Sequence, residues 1–185
     1  YNSSVLYNKA VLLVKTNRVD DAILTFEEFL KLEPYNNIAR NALAEAYLVQ
    51  ENFIMAEKTY LETLNYDPTD MVALTNLVII YISRDDFYLS LIYLRRLIVE
   101  GSQPDFSTIS DSLLECYKKS ENVEFLLYYL VSLYHLKSVE LFEIYLKILI
   151  EIDELWLAKL YEIIPSLKRD KEVTLQIKKI RKNSY

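Results

Sequence analysis

The stretch "NALAEAYLVQENFIMAEKTYLETLNYDP" (residues 41–68) places small residues, aromatics and a proline at wide, fixed intervals. Ala44 and Ala56 are small, Tyr47 and Tyr60 are large, and Pro68 closes the stretch. Sliding the window by 34 residues aligns Pro34 with Pro68, Ala10 with Ala44, Ala22 with Ala56, Leu13 with Tyr47 and Phe26 with Tyr60. A third copy continues with Leu77, Tyr81, Phe87 and Leu94, opposite Leu43, Tyr47, Phe53 and Tyr60. The spacing predicts two helices per copy, closest to each other at the paired alanines, where any larger side chain would push them apart. Tyr47, Tyr60 and Leu43 fill the space between this pair and its neighbours. Pro68 ends the second helix because proline cannot continue the hydrogen-bond ladder. Each pair is apolar on too many sides to stand alone, so the copies must stack.

Composition agrees with helices throughout. Glycine occurs once, at Gly101, and proline four times, whereas hairpins and tight turns need more of both. The apolar fraction of 52% gives ample material for a core. The longest uncharged apolar run, residues 125–136, is too short to span a bilayer as a helix. No cleavable signal is visible. The chain begins at Tyr1 rather than methionine, which reads as a fragment or a processed form, with room for an anchor upstream. A single cysteine, Cys116, cannot form an internal disulfide, and this fits a reducing compartment such as the cytoplasm. Charge is uneven. From Lys168 onward there are seven Lys/Arg against two Asp/Glu, a net of +5, while residues 1–167 carry a net of −11. An acidic body argues against wrapping a nucleic-acid backbone, which needs clustered cations.

A 34-residue period with this pattern resembles the tetratricopeptide repeat, a pair of antiparallel helices. The resemblance implies an all-α, right-handed α-solenoid with three repeats at residues 3–36, 37–70 and 71–104. A degenerate helical extension over 105–185 is expected to continue the array. The second copy fits best. In the first, Lys9 stands where leucine is expected; in the third, Val78 and Ser90 replace the small pair and the closing proline is displaced to Pro104. A fourth copy over 107–140 keeps Leu113, Tyr117 and Leu130 but has Leu114 and Leu126 at the close-contact positions, which predicts wider helix spacing. The array is therefore expected to change geometry near Gly101–Pro104. Two further amphipathic helices are expected over 139–152 and 153–164, ended by Pro165. A last helix over 170–182, with Val173, Ile177 and Ile180 on one side, reads as a cap with a polar outer face.

Little in the chain points to catalysis. The only histidine, His135, lies inside "FLLYYLVSLYHL" and reads as a helix-end residue with a satisfied hydrogen bond; Cys116 reads as a buried structural thiol. One glycine excludes a phosphate-cradling loop. The many carboxylates follow no pattern that would shift a pKa. No catalytic residue, metal, cofactor or small-molecule substrate is expected. The sixteen tyrosines mostly read as packing, since Tyr47, Tyr60, Tyr81 and Tyr117 fall at repeat core positions.

The resemblance implies a different use. In tetratricopeptide arrays the first helices line a concave groove that holds partners. Carried over, the groove positions are Ser4, Tyr7, Val11, Val14 and Lys15; then Ile38, Asn41, Glu45, Leu48 and Val49; then Val72, Thr75, Ile79, Ile82 and Ser83, with Asn76 alongside. Members that clamp a terminal carboxylate present Lys and Asn there, whereas this chain has Tyr7, Val11, Ala42, Val72 and Asn76, so that clamp is absent. What remains is an apolar groove with Lys15 as its nearby cation. The resemblance implies a non-enzymatic protein-interaction scaffold that binds an apolar segment or an amphipathic helix. Asn41 and Asn76 would fix register on the partner backbone. Membrane contact is left to an upstream segment or to the basic C-terminal helix. The competing expectation is a structural subunit of an oligomer or larger complex. In that case residues 125–136 would be buried by self-association or by another subunit, and the groove would be partly covered by the chain's own C-terminal helices.

Overall fold

The computed structural model describes residues 3–99 and 106–183, and among them every regular element is a helix. The chain divides into two compact units, Tyr1–Glu100 and Gly101–Tyr185. The break expected at Gly101–Pro104 lies outside the described residues.

The first unit holds α1 (Ser3–Lys15), α2 (Val19–Leu32), α3 (Asn37–Val49), α4 (Phe53–Tyr66), α5 (Met71–Ser83) and α6 (Phe87–Val99). Each helix packs on the next in chain order, and α1 also packs on α3. That is the contact pattern of stacked antiparallel pairs, an α-solenoid. The helices start where the sequence supplies a cap. Asn36 accepts from the Ala39 N–H at 3.0 Å and Asp70 from Ala73 at 2.9 Å. Asn52 accepts from Met55 at 3.2 Å and Asp86 from Leu89 at 3.1 Å. Each side chain satisfies an amide that helix geometry leaves without a partner. Caps thus recur at the repeat period on both helices of a pair. The first pair departs: Arg18 precedes α2 and makes no side-chain cap. Helices α2 and α4 end two residues before Pro34 and Pro68.

Within each pair the chain reverses through one left-handed residue. Asn17, Glu51 and Asp85 have φ of 59°, 59° and 54°. In each case two backbone bonds close the helix end: Arg18 N–H to Leu13 C=O (2.8 Å) with Asn17 N–H to Val14 C=O (3.0 Å), then Asn52 to Tyr47 (2.8 Å) with Glu51 to Leu48 (2.9 Å), then Asp86 to Tyr81 (2.9 Å) with Asp85 to Ile82 (3.0 Å). This six-residue closure normally selects glycine at the left-handed position. With one glycine in the chain, all three positions bear a Cβ in an unfavourable region.

Ala44 and Ala56 are both 0% exposed, as are Ala10 and Ala22 in the preceding pair. In the third pair Val78 and Ser90 are equally buried, and Ser90 turns its hydroxyl back onto the Phe87 carbonyl at 2.9 Å. Neighbouring pairs are tied by tyrosines. Tyr47 Oη donates to Glu27 Oε1 at 3.0 Å and Tyr81 Oη to Glu57 Oε1 at 2.7 Å, with Arg84 pairing to the same Glu57. Burial, then the Glu27 carboxylate, pushes the Tyr47 hydroxyl up to about 12, and burial, then the Glu57 carboxylate, raises Tyr81. These tyrosines therefore pack and bond at once.

The second unit holds α7 (Ser110–Ser120), α8 (Val123–His135), α9 (Val139–Ile152), α10 (Leu155–Ile163), a short 3-10 segment Pro165–Arg169 and α11 (Lys171–Asn183). Helix α8 is its core. It packs on α7, α9 and α10, and every residue from Phe125 to Leu133 is buried. Burial of this stretch corrects one expectation: the apolar run that suggested an oligomer surface is consumed by the unit's own packing up to Leu133. Two hydroxyls are buried inside this core, Ser110 Oγ at 2.8 Å from Ser132 Oγ, which also donates to the Tyr129 carbonyl at 2.7 Å. Of the two leucines at the close-contact positions, Leu126 is fully buried and Leu114 half-buried. Helix α11 buries Val173 and Ile177 and turns its lysines outward, while Arg181 pairs with Glu154 and Gln176 bonds to Glu143.

Three mutations test this packing. Glu51→Gly relieves a left-handed cost of about 1–2 kcal/mol against a glycine entropy cost of about 0.5–1 kcal/mol. It should hold or raise the urea midpoint, whereas Glu51→Val should lower it. Ala44→Leu should overpack the crossing and cost about 1–3 kcal/mol, read as a lower midpoint at unchanged slope.

Candidate functional site

The residues expected to line a groove fall on the first helix of each pair. Tyr7, Val11, Val14 and Lys15 lie on α1; Ile38, Asn41, Glu45 and Leu48 on α3; Val72, Thr75, Asn76, Ile79 and Ile82 on α5. Spacings of three and four put each set on one helix face. Four apolar members are strongly exposed: Ile38 at 72%, Val49 at 56% at the end of α3, Val72 at 43% and Ile79 at 39%. Lys15 and Glu45 are also exposed. Tyr7, Val11, Val14, Leu48, Thr75, Asn76 and Ile82 are half-buried. Tyr7 leans on Phe26 and Phe29, with ring centroids 6.0 and 5.7 Å away. Asn76 donates its amide to the Val72 carbonyl at 2.9 Å, within its own helix.

Asn41 stands apart because it is buried, at 6% exposure. Its Nδ2 donates to Asp70 Oδ1 at 2.9 Å, and that same oxygen caps α5 through Ala73. The bond ties the middle of α3 to the start of α5. Asn41 Oδ1 has no partner, and neither has the hydroxyl of Tyr60, a residue at 0% exposure on α4. Burial raises the Tyr60 pKa, and the carboxylates of Glu45 and then Asp70 raise it further, so the hydroxyl lies within their field. Glu45 is exposed as a residue, yet partial desolvation of its carboxyl lifts it above the usual carboxylate range. Asn41 and Glu45 are one helical turn apart on the same face. Asn41 and Glu45 on α3, Tyr60 on α4 and the α5 cap Asp70 thus form one polar cluster within the apolar stripe. Sequence reading found Asn41 and Glu45 but took Tyr60 as packing and passed over Asp70. The available signal was Asp70's position one residue before a helix start, where a carboxylate is held in place.

Other chemistry is sparse. His135 ends α8, stacks on Phe106 at 5.0 Å and meets the edge of Tyr134. Ring contacts hold it, rather than the hydrogen bond expected from its place at a helix end, and burial lowers its pKa. Cys116 is buried. Among the described residues no group of three or more His, Cys, Asp or Glu is arranged to hold a metal, and no helix is long and apolar enough to cross a membrane.

No family model matches the sequence, and no curated protein matches it. Solved structures do match by shape. A crystal structure of MamA protein aligns with a TM-score of 0.62 at 13% identity, covering 91% of this chain and 95% of that one. A MamA structure from Desulfovibrio magneticus aligns at 0.51 and 10% identity, covering 83% and 97%. A tetratricopeptide repeat protein from Parabacteroides merdae aligns at 0.52 and 15% identity, covering 97% and 79%. At such identities the likeness is one of fold. With the 34-residue recurrence of alanines, caps and left-handed turns, it identifies the chain as a degenerate tetratricopeptide-like helical repeat, an all-α solenoid.

Proposed function

We propose that this chain is a protein-interaction scaffold, without catalysis, that holds an apolar segment or amphipathic helix along the stripe formed by α1, α3 and α5. The repeats at 3–36, 37–70 and 71–104 form the recognition unit, and residues 105–185 extend and cap the array. The carrying observation is the exposure of Ile38, Val72 and Ile79 on successive first helices, where an isolated domain would gain by burying them. An extended or helical partner offers side chains at a repeat matching the stripe. Affinity then comes from apolar burial, and the polar members set register.

The test is substitution at exposed or half-buried positions that the fold tolerates. Ile79→Asp and Val11→Asp should each abolish capture of a peptide selected on the wild-type chain, while circular dichroism shows unchanged helix content. Binding at wild-type strength would move the partner site to another face.

A further inference from the structure

We infer that the cluster of Asn41, Glu45, Tyr60 and Asp70 receives one cationic side chain, lysine or arginine, from the partner segment; this rests on the groove reading above and names what the partner must carry. Two observations meet here. The first is a pair of buried polar atoms, Asn41 Oδ1 and Tyr60 Oη, that have no partner although both side chains are more than nine-tenths buried. Leaving such atoms unpaired is costly, and a native fold keeps them where something else supplies the bond. The second is an imbalance of charge and of donors. Asn41 Nδ2 and the Ala73 N–H both spend themselves on Asp70 Oδ1. The second Asn41 amide proton and the Tyr60 proton are the donors left among the four side chains. The acceptors outnumber them: Asn41 Oδ1, both oxygens of Glu45 and the second oxygen of Asp70.

Among the described residues neither Glu45 nor Asp70 forms an ion pair. Glu45 is exposed and Asp70 half-buried, so a partner's charged head can reach both carboxylates from solvent. A site rich in acceptors and carrying two negative charges calls for a ligand with several donors and a positive charge, which an ammonium or guanidinium supplies. Two carboxylates and two neutral oxygens fall short of the six or more ligands of calcium. The exposed apolar groups on either side, Ile38 and Val72, suit the aliphatic stem of such a side chain. The partner is thereby specified as an apolar segment with a single embedded cation. The Tyr60 pKa, raised by both carboxylates, agrees with this placement.

A random heptapeptide library displayed on phage and panned on the full chain tests the inference. Enriched sequences should carry one lysine or arginine among apolar residues. One such peptide is then synthesised with its cation and with a neutral isostere, norleucine for lysine or citrulline for arginine, and titrated by calorimetry. The cationic form should bind about tenfold more tightly, and Glu45→Gln should erase that ratio. Glu28→Gln, an exposed acid on α2, should leave the ratio intact. Tyr60→Phe should melt no lower than wild type, because it removes a hydroxyl that bonds to nothing, and should reduce the ratio as well. Equal binding of cationic and neutral peptides overturns the cation site and leaves the groove standing. A preference that survives both Glu45→Gln and Tyr60→Phe overturns its location. Peptides indifferent to Ile79→Asp, or no enrichment at all, overturn the groove reading and the inference with it.

Discussion

The close approach of two helices at Ala44 and Ala56 is the constraint from which the rest of the first unit follows. Both residues are fully buried on helices that pack on each other, which is where a close crossing favours the smallest side chains. That short distance lets a pair of helices act as one slab, with its large residues, Tyr47 and Tyr60, turned toward the neighbouring slabs. Stacking then repeats at the period of the alanines. It also sets the first helices side by side, so that what they do not bury becomes a continuous stripe. The same positions show how far the constraint can be relaxed. Val78 and Ser90 still bury fully in the third pair, the serine by turning its hydroxyl onto its own helix. With Leu126 buried and Leu114 half-buried, the second unit finds another solution, organised around a helix that is buried through most of its length.

Much of this was legible because it rests on local chemistry. Alanine spacing, helix-ending prolines and the scarcity of glycine all act within one or two turns, and each leaves a mark on the sequence. Helix α9 spans the predicted residues, and α11 falls within one residue of its predicted ends. Other features left no mark. The left-handed turns at Asn17, Glu51 and Asp85 carry three different residue types, none of them glycine, so the usual signal was missing. The Asn41–Asp70 bond joins residues 29 apart and exists because one pair is stacked on the next. Tyr60 looked like every other core aromatic, since nothing local says that its hydroxyl would be buried near two carboxylates. The run at 125–136 misled for a related reason: an apolar stretch reports that it will be buried, not by what.

Apolar exposure and polar frustration thus occur on the same helices of the first unit. Ile38 and Val72 are exposed beside a cluster whose buried acceptors lack donors. Neither feature helps the isolated chain: exposed aliphatics gain nothing from water, and unpaired buried oxygens cost stability. On the reading proposed above, an apolar segment would cover the aliphatics and a cation embedded in it would answer the two unpaired carboxylates beside the cluster. That coincidence is a physical argument for recognition on this face, and it arises from this chain's residues rather than from its fold, which serves many functions.

The most direct measurement is amide hydrogen exchange of the full chain with and without a peptide selected on it. Binding along the stripe should slow exchange in α1, α3 and α5, with the largest change around Asn41 and the start of α5, and leave the second helices of each pair as they were. Protection confined to α2, α4 and α6, or to residues 106–183, would contradict it.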